Sequence, residues 1–255
     1  MSKPAEATPR PLPGWAVAAF YWVMTRLMAV VVCTFGRWRV RGREHVPASG
    51  PLLIVANHLN NADPPLIGAT IRNRRIRFMA KIELFQGGIK GLPIRLFGAF
   101  PVRRFEADLA ALRTAQELLK AGEAVAILPE GHRNRSGTAM QQPYPGAALI
   151  ALRSGAPVLP VAITGTQQIH GLGVLLRYPR ISVTIGEPFL LERAGKLDRA
   201  AVQAGSEQIM RHIAALLPPA YRGVWGEAPS APVSSGESAT ISALSDETGA
   251  SRPVH

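Results

Sequence analysis

Seven short apolar runs constrain the fold of this chain more than any other feature: residues 38–41, 52–57, 76–80, 99–103, 124–129, 158–164 and 181–185. Most are continuous rather than alternating, the pattern of strands covered on both faces of a largely parallel sheet. Stretches with helical spacing lie between them. Residues 107–121 are the clearest: Leu109, Leu112, Leu118 and Leu119 mark an apolar face, acids lead it, and Gly122 follows it. Residues 64–72, 146–154 and 199–217 are the other candidates. Short strands alternating with helices predict an α/β fold, a mostly parallel central sheet flanked by helices. At 255 residues the chain can hold one substantial domain of this kind.

Ahead of the first run, residues 15–35 are almost wholly apolar, with Arg26 near the middle. As a helix the segment would be about 31 Å long, enough to reach across a bilayer. Its central arginine would cost roughly 2.5–3.5 kcal/mol on insertion scales. On a helical wheel Trp15, Ala19, Trp22, Arg26, Cys33 and Arg37 fall on one side, and Val17, Met24, Met28, Val31 and Phe35 fall opposite. That division favours an interfacial helix or helix pair lying among headgroups; a core helix of the globular domain is the alternative. The segment lacks a basic leader and a small-residue cleavage site, so it does not read as a signal peptide. The expected layout is a flexible start over 1–14, a membrane-associating segment over 15–37, an α/β domain over 38–225, and a disordered tail over 226–255. The tail is rich in Ser, Ala, Gly and Pro and has little apolar surface to bury.

Charge narrows the partners. The chain carries +12, with a sequence pI of about 10.9. Its last thirty residues hold Glu227, Glu237, Asp246 and Glu247 against one base, Arg252; removing their −3 leaves about +15 on residues 1–225. Such a surface suits anionic lipid, nucleic acid or polyphosphate. The nucleic-acid reading is set aside because no C-x-x-C pairs, RNP-type aromatic motif or helix-turn-helix signature is present. The single cysteine, Cys33, excludes an internal disulfide and sits among apolar residues as a small hydrophobe.

Three segments carry chemistry. After the apolar run Pro51–Ala56 comes NHLNNAD, residues 57–63, which sets His58 and Asp63 five positions apart. A histidine can serve as a base near neutral pH, and a carboxylate can hold its tautomer and stabilise the imidazolium. One helix face cannot present both, so His58 belongs in the loop and Asp63 at the start of the next helix, with Pro64 behind it. Asp63 is also a natural N-cap, and His58 could simply bond a loop carbonyl. The second segment, GAFPVRR (98–104), puts Arg103 and Arg104 at the end of a strand, where forked guanidinium donors suit phosphate. A solvated pair bonded to Glu106 or Asp108 is the alternative. The third, PEGHRNRSG (129–137), supplies Arg133 and Arg135 beside Gly131, with Glu130 expected to stay ionised and orient the arginines. An exposed basic loop is its alternative. Together a base and anion-binding groups point to an enzyme that activates a hydroxyl on a phosphorylated substrate.

A fourth segment, Val158-Leu-Pro-Val161, reads on its own as buried strand. The order His-x-x-x-x-Asp, Gly-x-Phe-x-Val-x-Arg, Pro-Glu-Gly, Val-x-Pro-Val resembles the glycerolipid acyltransferase family, which includes the enzymes that acylate lysophosphatidic acid. The resemblance covers about residues 36–190 and takes in MAKIELF (79–85). It implies acyl transfer from acyl-CoA or acyl-carrier protein to a hydroxyl, with no cofactor and no metal. His58 matches the base and Asp63 its partner. Arg104 matches an arginine that binds the acceptor phosphate, with Arg103 beside it. Glu130, Gly131 and Arg133 match the third motif, also tied to the acceptor, and Lys81 adds charge there. Pro160 matches the fourth motif, on the acyl-donor side. The family often has threonine where this chain has His132, which bears on the acceptor.

The expected partners are therefore membrane lipid and an acyl donor, not nucleic acid, and the expected location is the cytoplasmic face of the cell membrane, peripheral or monotopic. Lysophosphatidic acid is the first choice of acceptor; another lysophospholipid, glycerol 3-phosphate or an amino-acid lipid is the runner-up. A metal-dependent hydrolase built on His58, Asp63, Glu130 and His132 is the rival enzyme, and a non-catalytic membrane-surface protein the rival outside enzymology.

Overall fold

Buried β-branched runs and the helices between them assemble as their pattern predicts. A computed structural model of the protein describes residues 12–86, 88–104, 108–133, 139–169, 178–192 and 197–226. In chain order the main elements are α1 Gly14–Phe35, β1 Arg37–Arg41, β2 Leu52–Ala56, α2 Asp63–Thr70, β3 Ile76–Lys81, α3 Leu92–Leu96, β4 Phe100–Val102, α4 Leu109–Lys120, β5 Ala124–Ile127, α5 Gly146–Ser154, β6 Val158–Thr164, β7 Arg180–Ile185, α6 Arg199–Leu216 and α7 Pro219–Arg222. The expectations for residues 1–14 and 226–255 fall almost wholly outside the described residues.

The seven strands form one sheet in the order β1-β7-β6-β2-β5-β3-β4. From β6 to β4 all neighbours are parallel; β7 joins β6 antiparallel, and β1 joins β7 in parallel. Five strands therefore end on one edge of the sheet, and the reversed β7 and β1 begin there. Alternate residues of each strand face opposite layers. Leu52, Ile54 and Ile163 pack against Tyr21, Leu66 and Ile67 of α1 and α2. Leu53, Val55 and Val125 pack against Ile150, Met210 and Ile213 of α5 and α6. Helices thus cover both faces, as a mainly parallel sheet requires.

Two helix faces differ from the sequence expectation. In α1 the buried residues are Tyr21, Thr25, Ala29 and Val32, a stripe that neither side of the wheel contained. It docks the helix on α2, α3 and β1. Tryptophan and arginine distinguish the two sides of the wheel, whereas the docking side uses a tyrosine whose hydroxyl accepts the Ile76 N–H and a threonine that bonds its own helix. Arg37 lies beyond the helix, in β1, and Cys33 is exposed. One helix, not a pair, occupies this segment among the described residues. In α4 the buried face is Ala111, Ala115 and Leu119, while Leu109 is 56% exposed; small side chains let this helix approach the sheet. Asp108 caps it by accepting the Ala111 N–H.

Candidate active site

The edge on which the five parallel strands end is where ligands bind in open α/β sheets, and the segments singled out above converge there. β2 stops because a side chain takes over its ladder. Asn57 Nδ2 donates to the Ile163 carbonyl at 2.9 Å, and its Oδ1 accepts the Ile163 N–H at 2.8 Å. The chain leaves the sheet at His58 and curls round one carboxylate oxygen. Asp63 Oδ2 accepts from His58 Nδ1 at 2.9 Å, from the Leu59 N–H at 2.7 Å and from the Asn60 N–H at 2.7 Å. Asn60 holds the far side of the loop, donating to the Ile169 carbonyl and accepting the Ala62 N–H.

A carboxylate only accepts hydrogen bonds, so this geometry assigns the imidazole proton to Nδ1 and leaves a lone pair on Nε2. Among the described residues Nε2 has no hydrogen-bond partner. The His58 side chain is 9% exposed and that of Asp63 is fully buried. The N-cap expectation for Asp63 is corrected: Asp63 is itself the first helical residue, Ala62 holds the cap position, and no side chain caps α2. Its carboxylate gathers loop N–H groups that precede the helix instead. Asp63 Oδ1 is buried without a hydrogen-bond partner among the described residues.

Glu130 is the second correction. It does not orient arginines; its side chain is buried beneath the histidine loop. Oε1 accepts the His58 N–H at 2.9 Å and Oε2 accepts the Gln141 N–H at 3.0 Å. The placement follows from the sheet: β5 lies beside β2 in register, so the residues just past both strands are neighbours. Burial, opposed by these two N–H donors, pushes the Glu130 carboxyl up to about 7. Between the ordinary value of 4.5 and about 7 the folded state holds the proton that the unfolded chain has released. The stability this group contributes therefore falls as pH rises through that window and is level above it. Thermal unfolding at about pH 5 and pH 7.5 should show that decline in the wild type and lose it in Glu130→Gln.

The turn beyond Glu130 needs its glycine. Gly131 has φ +68°, and a Cβ there would lie 2.6 Å from Tyr144 Cδ2. The Tyr144 N–H donates to the Pro129 carbonyl, which holds the ring over the turn. Arg133 follows, half-buried, and His132 is exposed. Arg104, past the end of β4, is half-buried near Arg133, Glu83 and Tyr144. Burial and Arg133 lower its guanidinium from the ordinary value while Glu83 and Tyr144 oppose them. Lys81 ends β3, in register with Val102 of β4. Arg104, Arg133 and Lys81 thus share the edge with His58. Arg103 does not join them: its side chain is exposed, and its N–H donates to Asp108 Oδ2. Gly98 turns the chain into β4 with φ +79°, and its carbonyl accepts from Arg77 Nε. Pro160 is buried in β6 in register with Val55. Among the described residues no three His, Cys, Asp or Glu side chains gather as a metal ion would need. The donor set of the rival hydrolase is therefore not assembled there.

Asn57, Asn60, Gln141 and Tyr144 belong to this site and were not singled out from the sequence. The asparagines stood inside the NHLNNAD motif. Tyr144 carries no local signal, since only the fold brings it over Gly131.

The model of the acyltransferase family matches residues 37–164, which hold every element from β1 to β6 and all four motifs. The chain belongs to that family. It is an O-acyltransferase. A 1-acyl-sn-glycerol-3-phosphate acyltransferase of Bacillus subtilis is 30% identical over 168 residues, 66% of this chain and 81% of that protein. The Streptococcus pneumoniae enzyme of the same name is 26% identical over 198 residues, 74% of this chain and 70% of that one. The crystal structure of PlsC, the 1-acyl-sn-glycerophosphate acyltransferase of Thermotoga maritima, superposes with a TM-score of 0.56 at 26% identity, covering 78% of this chain and 79% of the other. In this acyltransferase the α/β expectation holds in full, with the antiparallel β7 as its one departure from parallel pairing.

Proposed function

We propose that the enzyme moves a fatty acyl group from an acyl thioester, acyl-CoA or acyl-carrier protein, to the free hydroxyl of lysophosphatidic acid at the cytoplasmic face of the membrane. The observation that carries this reading is the 2.9 Å bond from His58 Nδ1 to Asp63, at the edge that also holds Arg104 and Arg133, with no partner for Nε2 among the described residues. The similar enzymes named above add support, since their names specify that acceptor.

Nε2 takes the proton of the acceptor hydroxyl as its oxygen attacks the thioester carbonyl, and Asp63 stabilises the imidazolium. The intermediate collapses, the C–S bond breaks, and the imidazolium returns its proton to the departing thiolate. No metal, cofactor or acyl-enzyme takes part. Arg104, Arg133 and Lys81 hold the acceptor phosphate. Pro160 acts on the donor side through the sheet: its carbonyl accepts the Gly186 N–H and its ring fills the space a Cβ on Gly186 would need, so it sets the junction of β6 and β7.

Helix α1 is long and apolar enough to cross a membrane. One side of it is docked on protein from Tyr21 to Val32, so lipid cannot sheathe it all round. Its outward side presents Trp15, Val23, Leu27 and Val30, each more than half exposed. We assign it to the interface, lying along the bilayer surface.

Arg104→Ala tests the acceptor assignment. Losing a charge-assisted bond to phosphate, worth roughly 1.5–3 kcal/mol, should raise the KM for lysophosphatidic acid about ten- to a hundredfold, with the donor KM within about twofold. Equal rises for both substrates would make Arg104 structural. An acceptor panel read by mass spectrometry of the lipid products decides among lysophosphatidic acid, other lysophospholipids and glycerol 3-phosphate.

A further inference from the structure

The two faces of the sheet differ at its β7–β1 end. Toward α1, Trp38, Ile181, Val183 and Ile185 pack into the apolar layer. The opposite side carries Arg37, Arg39 and Arg41 of β1, in register with Arg180, Ser182 and Thr184 of β7. Helix α6 packs on β6 and β2 and leaves all four arginines exposed. Among the described residues none of the four pairs with a carboxylate. Arg37 sits 5.9 Å from the Tyr178 ring and directly opposite Arg180. Like charges opposed across a ladder destabilise a sheet, so this arrangement has a standing cost that an anionic partner would relieve.

Position says which anion. Because β7 and β1 run backwards, Arg37 and Arg180 lie at the edge where His58 stands. β1 is three strands from β2, about 14 Å at the usual spacing, a gap that a phosphopantetheine arm can bridge. Lys81, Arg104 and Arg133 lie on the other side of His58, toward β4. The arginine face is also turned away from α1, whose outward side is apolar. A bilayer met by α1 therefore leaves these arginines facing water, where a soluble donor arrives. The row runs down β1 with its Cα atoms about 6.6 Å apart, on an open strand surface. That shape complements an acidic helix of a protein better than the compact head of a nucleotide.

We propose that Arg37, Arg39, Arg41 and Arg180 form the docking surface for an acidic acyl-carrier protein that delivers its thioester to His58. The proposal rests on the acyl-transfer reading above. Its test is the triple variant Arg37→Ser/Arg39→Ser/Arg41→Ser, assayed with lysophosphatidic acid in phosphatidylcholine vesicles and either acyl-carrier protein or acyl-CoA as donor. The expected result is a fall of about tenfold or more in kcat/KM for the carrier protein. Turnover with acyl-CoA should stay within about twofold, the melting temperature should hold, and the salt dependence of the carrier-protein rate should weaken. Equal losses with both donors, no loss with either, or a wild type that uses acyl-CoA alone would overturn the docking proposal. So would loss of sedimentation with anionic vesicles while carrier-protein kinetics stay unchanged. A wild type that turns over neither donor would bring down the acyl-transfer reading, and the docking surface with it.

Discussion

Replacing His58 with alanine should lower kcat by about 10²–10⁴, the range that general-base assistance supplies, and leave the fold standing. The loop does not depend on the imidazole. Without it, Asp63 Oδ2 still accepts the Leu59 and Asn60 N–H groups, Asn57 still pairs with Ile163, and Glu130 still accepts the backbone N–H of residue 58. The KM values for donor and acceptor should change little if, as proposed, Arg104 and Arg133 rather than the ring hold the phosphate. Steady-state kinetics with a melting curve on the same preparation separates the outcomes. A variant with near-normal turnover rules out His58 as the base; a collapsed melting temperature would make it a structural histidine.

That separation matters because sequence reasoning could place the residues but not all their partners. The strands were legible almost residue for residue: β6 has the limits its apolar run indicates, since continuous burial leaves few polar positions to blur them, and α5 has the limits its helical spacing indicates. The five-residue α3 was not legible, because a segment that short shows no period. The docking stripe of α1 was hidden by its own chemistry, with Tyr21 and Thr25 in place of the expected aliphatics. At the site, the five-residue spacing of His58 and Asp63 was enough to foresee a loop-to-helix dyad. Glu130 was visible as a motif residue, but its partner stands 72 positions away in sequence. Read locally, it had only arginines for neighbours. Strand order, which puts β5 beside β2, turns it from an anchor for arginines into a brace for the histidine loop. The same logic accounts for the arginines of β1 and β7: only the reversal of those strands brings Arg37 and Arg180 to the edge that holds His58.

Asp63→Asn should lower kcat by about 10² and destabilise the protein by about 1–3 kcal/mol, for two distinct reasons. The Leu59 and Asn60 N–H groups both point at Oδ2, so the carboxamide must place its oxygen there. That oxygen still accepts the Nδ1 proton, and Nε2 keeps its lone pair. The variant therefore avoids the wrong tautomer, which in the serine-protease triad costs about 10⁴. What it loses is the negative charge that, on the proposed mechanism, stabilises the imidazolium during proton transfer. The amide nitrogen must then occupy the position of Oδ1, which is buried and has no hydrogen-bond partner among the described residues. The Leu59 and Asn60 N–H groups then donate to a neutral amide oxygen instead of a carboxylate, and those weaker bonds are the source of the lost stability. Combining the change with His58→Ala distinguishes the two effects. If Asp63 acts on the reaction only through the ring, the double variant turns over no more slowly than His58→Ala alone, while its unfolding free energy still drops. A further fall in rate would mean that the Asp63 charge acts on the substrates directly.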